Sequence, residues 1–109
     1  MSGYYELKAA GSGYVFALKA DDSEILLTSH AHETKERALE EIALMQKQSA
    51  ADSNYRRKVA WDGSPYFEIQ SANGAVIAKS HVYESLSARQ RGIDSCRECG
   101  PTTDVRDKT

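Results

Sequence analysis

The sequence predicts an α+β fold in which a unit of three strands and a helix occurs twice. Three observations carry that prediction. First, residues 4–49 lie over residues 55–100 without a gap, at a constant offset of 51. This matches Tyr4 with Tyr55, Ala9 with Ala60, Phe16 with Phe67, Ser29 with Ser80, His30 with His81, Glu33 with Glu84 and Ile42 with Ile93. Second, each copy opens on three short alternating or β-branched runs separated by turn residues. Third, each copy closes on an apolar stripe at helical spacing behind a Thr or Ser suited to an N-cap.

In the first copy, Tyr4 to Ala9 alternates and reads as a strand, ended by the turn Gly11-Ser12-Gly13. Tyr14 to Ala20 alternates again, with Phe16 and Leu18 on one face and Val15, Ala17 and Lys19 on the other. After Asp21-Asp22-Ser23, Glu24 to Ser29 contains the run Ile25-Leu26-Leu27 and reads as a third strand. Thr34 caps a helix whose inner stripe is Ala38, Leu39, Ile42 and Met45. Lys35, Glu36, Glu40, Glu41 and Lys47 form its wet side, and residues 49–54 form a linker. In the second copy, Tyr55 to Trp61, Tyr66 to Ser71 and Ala75 to Ser80 are the strands. Asp62-Gly63-Ser64-Pro65 and Ala72-Asn73-Gly74 are the turns. Ser85 caps a helix to about Cys99, with Leu86, Ile93 and Cys96 inward, and Gly100-Pro101 stops it. Gly92 inside that helix costs about 1 kcal/mol against Ala, which a close helix–sheet approach explains. On composition alone, residues 102–109 read as a polar tail.

At 109 residues, with 40% hydrophobic and 28% charged side chains, the chain fits a single domain, residues 1–109, made of repeats 4–54 and 55–107. A half of about 50 residues buries too little surface to be secure alone, so the two copies are expected to share one core. The formal charge of −2 gives no global pull toward nucleic acid. Two cysteines do not make a disulfide framework. Met1-Ser2-Gly3-Tyr4-Tyr5-Glu6 shows no basic start followed by an apolar run, and no apolar stretch is long enough to span a bilayer. A cytoplasmic setting is the expectation.

With the elements placed, the stretch Tyr66-Phe67-Glu68-Ile69-Gln70-Ser71-Ala72-Asn73-Gly74-Ala75-Val76-Ile77-Ala78-Lys79-Ser80 closely resembles the "YF-L-AANG-VI--S" segment of the YegP-like family. Gly92-Ile93-Asp94-Ser95-Cys96-Arg97 is similar to that family's "GI-SVK" helix signature. The resemblance covers nearly the whole chain, more loosely in the first copy, where Ala20-Asp21-Asp22-Ser23 replaces the Ala-Asn-Gly turn. It implies small, mostly bacterial proteins with a duplicated β-β-β-α-β unit. The copies would share a single antiparallel sheet, exchange their C-terminal strands and set two helices on one face. It also implies that Thr103 to Asp107 forms a short strand. The family has no established activity, so no catalytic residue and no cofactor carries over. Three positions depart from the pattern. His30 and His81 stand where an acidic residue is usual, His32 replaces the aromatic kept as Tyr83, and Cys96 replaces a Val.

Three clusters could carry chemistry, each with a plainer explanation. Cys96-Arg97-Glu98-Cys99 is a C-x-x-C motif, but it sits in the last helical turn, where the dipole opposes a thiolate. Cys96 then reads as a small core side chain and Cys99 as near the surface. His30, His32 and His81 are candidate metal ligands, with Cys96 and Cys99 or Glu33 and Glu84 completing a set, yet no spacing makes them converge. Exposed loop histidines are the plainer reading. Tyr55-Arg56-Arg57-Lys58 with Trp61 and Tyr66 mixes cations and aromatics as single-strand nucleic-acid binders do. Strand alternation splits that cluster, and the net charge disfavours the idea.

The sheet face opposite the helices remains. On the second strands it would carry Val15, Ala17, Lys19, Tyr66, Glu68 and Gln70. A partner protein or a second copy could pack there or at a sheet edge. The favoured reading is therefore a non-catalytic binding or structural module rather than an enzyme. A thiol- or metal-dependent activity is the alternative, followed by weak single-stranded nucleic-acid binding.

Overall fold

The computed structural model describes residues 3–71 and 73–109. The expectations for Met1-Ser2 and for Ala72 in the second-copy turn lie outside those residues. The order is β1 (Tyr4–Ala10), β2 (Gly13–Lys19), β3 (Ile25–Ser29), α1 (Lys35–Gln48), a short 3-10 turn (Asp52–Asn54), β4 (Tyr55–Val59), β5 (Pro65–Gln70), β6 (Val76–Lys79), α2 (Leu86–Cys99) and β7 (Val105–Asp107). All seven strands form one sheet in the order β4-β5-β6-β3-β2-β1-β7.

Thr34 and Ser85 cap α1 and α2 as their hydroxyls accept the Arg37 and Ala88 amides, at 3.1 and 3.0 Å. The alternating strands then aim Tyr5, Leu7, Phe16 and Leu18 from one copy, and Tyr55, Phe67 and Ile69 from the other, into one core. Ala38, Ile42 and Met45 of α1 and Ile93 and Cys96 of α2 join the same cluster. The helices thus sit on one face of a shared sheet, with Phe16 and Phe67 buried against them.

The two halves meet at β3 and β6. Thr28 stands opposite Lys79, its own repeat equivalent, so the pseudo-twofold axis passes between them. Both copies carry a bulge at the same place, where Leu18/Lys19 opposes Leu27/Ile25 and Ile69/Gln70 opposes Ala78/Val76. The extra residue turns Leu26 as well as Leu27 inward, and Ile77 as well as Ala78. The serines shared by both copies have a local job. Ser29 Oγ accepts the Phe16 amide and donates to the His30 carbonyl, and Ser80 Oγ does the same with Phe67 and His81.

Several sequence expectations change. The ungapped offset fails in the first strands. Tyr5 opposes Leu18 and Tyr55 opposes Ile69, so Tyr55 is equivalent to Tyr5, not Tyr4. The extra residue lies in the longer hairpin loop between Val59 and Pro65. The match of Ala9 with Ala60 goes with it. The sheet is antiparallel except at its end, where β7 runs parallel to β1 with Tyr5 opposite Val105. Residues 105–107 are therefore a strand and not part of a loose tail. Strand exchange is one-way: β7 of the second copy completes the first, while the first copy's chain leads through the 3-10 turn into β4 itself.

Leu39 and Leu86 face solvent, because each falls off the narrow arc that α1 and α2 present to the sheet. Glu41 is buried instead, with Arg37 Nη2 at 3.3 Å from its carboxylate. Ser49, expected in a linker, is fully buried as the C-cap of α1. Cys99 is buried too, beneath the chain start: a Cβ on Gly3 would come 2.8 Å from Cys99 Cβ.

Gly92 does mark a close approach. A Cβ there would collide with the Tyr83 hydroxyl and lie 3.2 Å from Phe67 Cε1. The first copy solves the same space differently, with the shorter His32 at the Tyr83 position and Glu41 at the Gly92 position. Gly92→Ala therefore destabilises the protein by about 1–3 kcal/mol in urea unfolding. Adding Tyr83→His, the first copy's residue, recovers most of that loss. Equal costs with and without Tyr83→His would show that the tyrosine is not the obstacle.

Candidate interaction surface

The uncovered face is built from rungs that cross the whole sheet. One rung runs Arg106, Glu6, Ala17, Thr28, Lys79, Glu68, Arg56, one residue from each strand. Opposite charges alternate along it. Lys19 Nζ lies 3.0 Å from Glu6, and this hydrogen bond holds the Glu6 carboxyl below its usual range. Lys79 sits 5.7 Å above the Tyr66 ring, and the Arg106 guanidinium 3.7 Å above Tyr4.

Val15, Ala17, Lys19, Tyr66 and Gln70 are half-buried on this sheet, and Glu68 is buried between Arg56 and Lys79. Val15, Ala17 and Lys19 share a hollow with Glu6, Lys8, Ile25 and Thr28. Tyr66 belongs to a different feature at the far end. There Trp61 is 98% exposed, Val59 61% and Val82 53%, and with Tyr66, Lys79 and His81 they line a groove of about 450 Å³. The sequence predicts Trp61 as the end of a strand, but β4 stops at Val59. The adjacent Asp62-Gly63-Ser64-Pro65 turn puts the indole at a hairpin mouth, open to solvent.

Basic residues of β4 divide as alternation requires. Arg56 faces the open side opposite Glu68, and Lys58 stands opposite Tyr66. Arg57 lies on the helix side, donating to Asp52 and to Gln90 of α2 at 3.0 and 2.9 Å.

The histidines and cysteines fall in separate places. The His30 and His32 rings are 4.5 Å apart, and His32 stacks on Phe16 at 6.1 Å. His81 lies in the other copy against Tyr83, at 4.3 Å. His30 lines a cleft of about 590 Å³ between α1 and the β5–β6 turn, and His81 lines its repeat counterpart of about 530 Å³ between α2 and β3. Among the described residues, no three His, Cys, Asp or Glu side chains come together as a metal-binding group. Burial pushes the Cys96 thiol well above its ordinary value, and the Cys99 thiol adds to this. The thiol form is therefore strongly favoured there.

His32 is held below its ordinary value, first by burial and then by His30; Glu41 opposes this in part. Between the folded value and 6.5 the unfolded chain binds the proton and the folded chain does not. Stability from this group is thus fully present above 6.5 and falls as pH drops through the folded value. An NMR titration of the His32 ring proton should have its midpoint below 6.5, and His32→Phe should flatten the loss of stability on that side. A midpoint at or above 6.5 would contradict this.

The fold and surface define a class of small tandem-repeat α+β proteins with one uncovered sheet face. The family model for a domain of unknown function, DUF1508, matches twice, over residues 4–55 and 60–107. The chain belongs to this DUF1508 (UPF0339) family of bacterial proteins. It is 42% identical to a UPF0339 protein of Bordetella pertussis, covering 100% of this chain and 98% of that one. It is 34% identical to the UPF0339 protein YegP of Escherichia coli, over the full length of both. The solution structure of a UPF0339 protein from Shewanella oneidensis superposes with a TM-score of 0.93 at 38% identity, covering 98% of this chain and 92% of that one. That of E. coli YegP, a protein of unknown function, gives 0.93 at 34% identity, covering 100% and 95%. No helix among the described residues is long and apolar enough to cross a membrane.

Proposed function

We propose that the protein is a non-catalytic binding module whose contact surface is the β4–β5 end of its open sheet face. The observation that supports this most directly is the exposed cluster of Trp61, Val59 and Val82 beside Tyr66 and Lys79. An indole is a large apolar surface, and contiguous exposed apolar side chains rimmed by polar ones mark interaction sites. In the first copy the face carries the paired charges Glu6, Lys19 and Lys8, whereas this end carries the exposed apolar side chains. In this reading Glu68 and Gln70 are its polar neighbours on β5, and Val15, Ala17 and Lys19 line a separate hollow in the first copy. A cytoplasmic place of action belongs to the same proposal. It rests on two cysteines buried within one helical turn rather than set as a staple across the fold.

The test is an NMR titration of the labelled protein with fractions of a bacterial lysate, repeated with Trp61→Ala. That substitution should change stability by no more than about 0.5 kcal/mol, because the ring is exposed. Shifts centred on Trp61, Tyr66, Lys79 and Val82 that vanish in Trp61→Ala are expected. Binding unaffected by Trp61→Ala, or no shift at any sheet residue, would refute the assignment.

A further inference from the structure

The two outer edges of the sheet are not equivalent. In the first copy, the edge of β1 is covered by β7: Tyr5 N–H donates to Asp104 O at 2.9 Å, and Lys108 N–H to Leu7 O at 2.8 Å. The structural equivalent of β1 is β4, with Tyr55 for Tyr5 and Arg57 for Leu7. Among the described residues, no strand pairs with the outer edge of β4, which is the other end of the sheet.

The open backbone groups on that edge can be named. Phe67 O accepts from Ser80 and Pro65 O from Tyr83, so these β5 residues turn their backbone toward β6. Their partners on β4 are Arg57 and Val59, which therefore point N–H and C=O outward. Tyr55 N–H is already taken by Asp52 O. The vacant stretch thus begins at Arg57 and runs toward the exposed Val59 and Trp61.

Charge selects what fits. Arg56 and Lys58 flank the opening, and Arg89 Nη1 adds a third cation at 3.0 Å from the Lys58 carbonyl. Asp52 pairs with Arg57, and Glu68 stands across the strand from Arg56, whose Nη1 also donates to the Ser53 carbonyl at 2.7 Å, so the cations at this edge are offset only in part. A second copy of β4 would set these cations against each other, which disfavours self-pairing. At the filled edge, Arg106 of β7 stands opposite Glu6. At the empty edge Arg56 replaces Glu6, so the complementary residue is acidic.

We infer that the outer edge of β4 accepts an extended acidic peptide strand of a partner protein, occupying at β4 the place that β7 fills at β1. The strand lies parallel to β4, as β7 does to β1, with acidic side chains at alternate positions against Arg56 and Lys58. Beyond Val59 an apolar side chain enters the groove beside Trp61 and Val82. Backbone pairing at Arg57 and Val59 gives the hold, and the alternate side chains give the selectivity. This deepens the sheet-end binding reading and rests on it.

The probe is a synthetic peptide of alternating Glu and Val ending in Leu-Leu, titrated into the intact labelled protein, with Lys-for-Glu peptide and single-stranded DNA as controls. The expected result is saturable binding that weakens with salt and new exchange protection of the Arg57 and Val59 amides. Val59→Pro deletes an outward N–H without touching the β4–β5 ladder, and Arg56→Glu with Lys58→Glu reverses the charge. Each should weaken binding by about tenfold or more while the β2 and β3 amides keep their shifts. Peptide binding that leaves the Arg57 and Val59 amides unprotected would overturn strand addition but leave the sheet-end surface standing. No peptide binding would overturn this inference alone, provided the lysate shifts at Trp61 remain. Single-stranded DNA binding through Arg56 and Lys58 in place of the peptide would overturn it as well.

Discussion

Two buried tyrosines tie the halves of this protein crosswise. Tyr5, from the first copy, donates to the carbonyl of Gly100 at the end of α2, at 2.6 Å. Tyr55, which opens the second copy, donates to the carbonyl of Ser49 at the end of α1, at 2.7 Å. Each helix thus has a C-terminal carbonyl, which no intrahelical amide can reach, satisfied by a tyrosine of the other copy. The helix ends themselves touch, since a side chain on Gly100 would overlap Ser49. Each hydroxyl bond contributes about 1 kcal/mol, and losing one strands a buried carbonyl. Burial pushes both tyrosines above their ordinary ionisation range, so both hydroxyls keep the proton they donate at neutral pH. Edge-to-face contacts of Tyr5 with Phe16 and Tyr55 with Phe67, at 6.1 and 5.8 Å, anchor the same two rings in the core.

This crosswise arrangement explains what the sequence could and could not disclose. Alternation in Tyr14–Ala20 and Tyr66–Ser71, with Thr34 and Ser85 as caps, made the elements legible because each signal is local. Phe16, Ile42, Phe67 and Ile93 were legible as core because each recurs at its repeat position. Register in the first strands was not: two adjacent tyrosines, Tyr4 and Tyr5, compete for the match with Tyr55, and only the cross-strand pairing decides between them. Burial of Ser49, Cys99 and Glu41 was hidden for a related reason. Ser49 and Cys99 are covered by chain far away in sequence, Gly100 and Gly3, and Glu41 takes the helix position that Gly92 holds in the other copy.

The candidate surface was partly legible. Alternation placed Tyr66 and Glu68 on one face and split the basic residues of β4, and the structure sets Arg56 opposite Glu68. It did not single out the exposure of Trp61, which depends on a hairpin loop one residue longer than its counterpart. Nor did it show that one sheet edge is covered and the other bare. That asymmetry follows from tandem fusion. A strand leaving α2 is free to travel to β1, while the chain leaving α1 must become β4.

All of this requires the two copies to fold as one body through the shared β3–β6 seam and the paired tyrosines. Native-state hydrogen exchange on the intact chain measures that directly. The slowest amides of β2 and of β5 should open with the same free energy and the same denaturant dependence. Protection of β5 and α2 lost at clearly lower free energy than that of β2 and α1 would mean that each copy stands by itself.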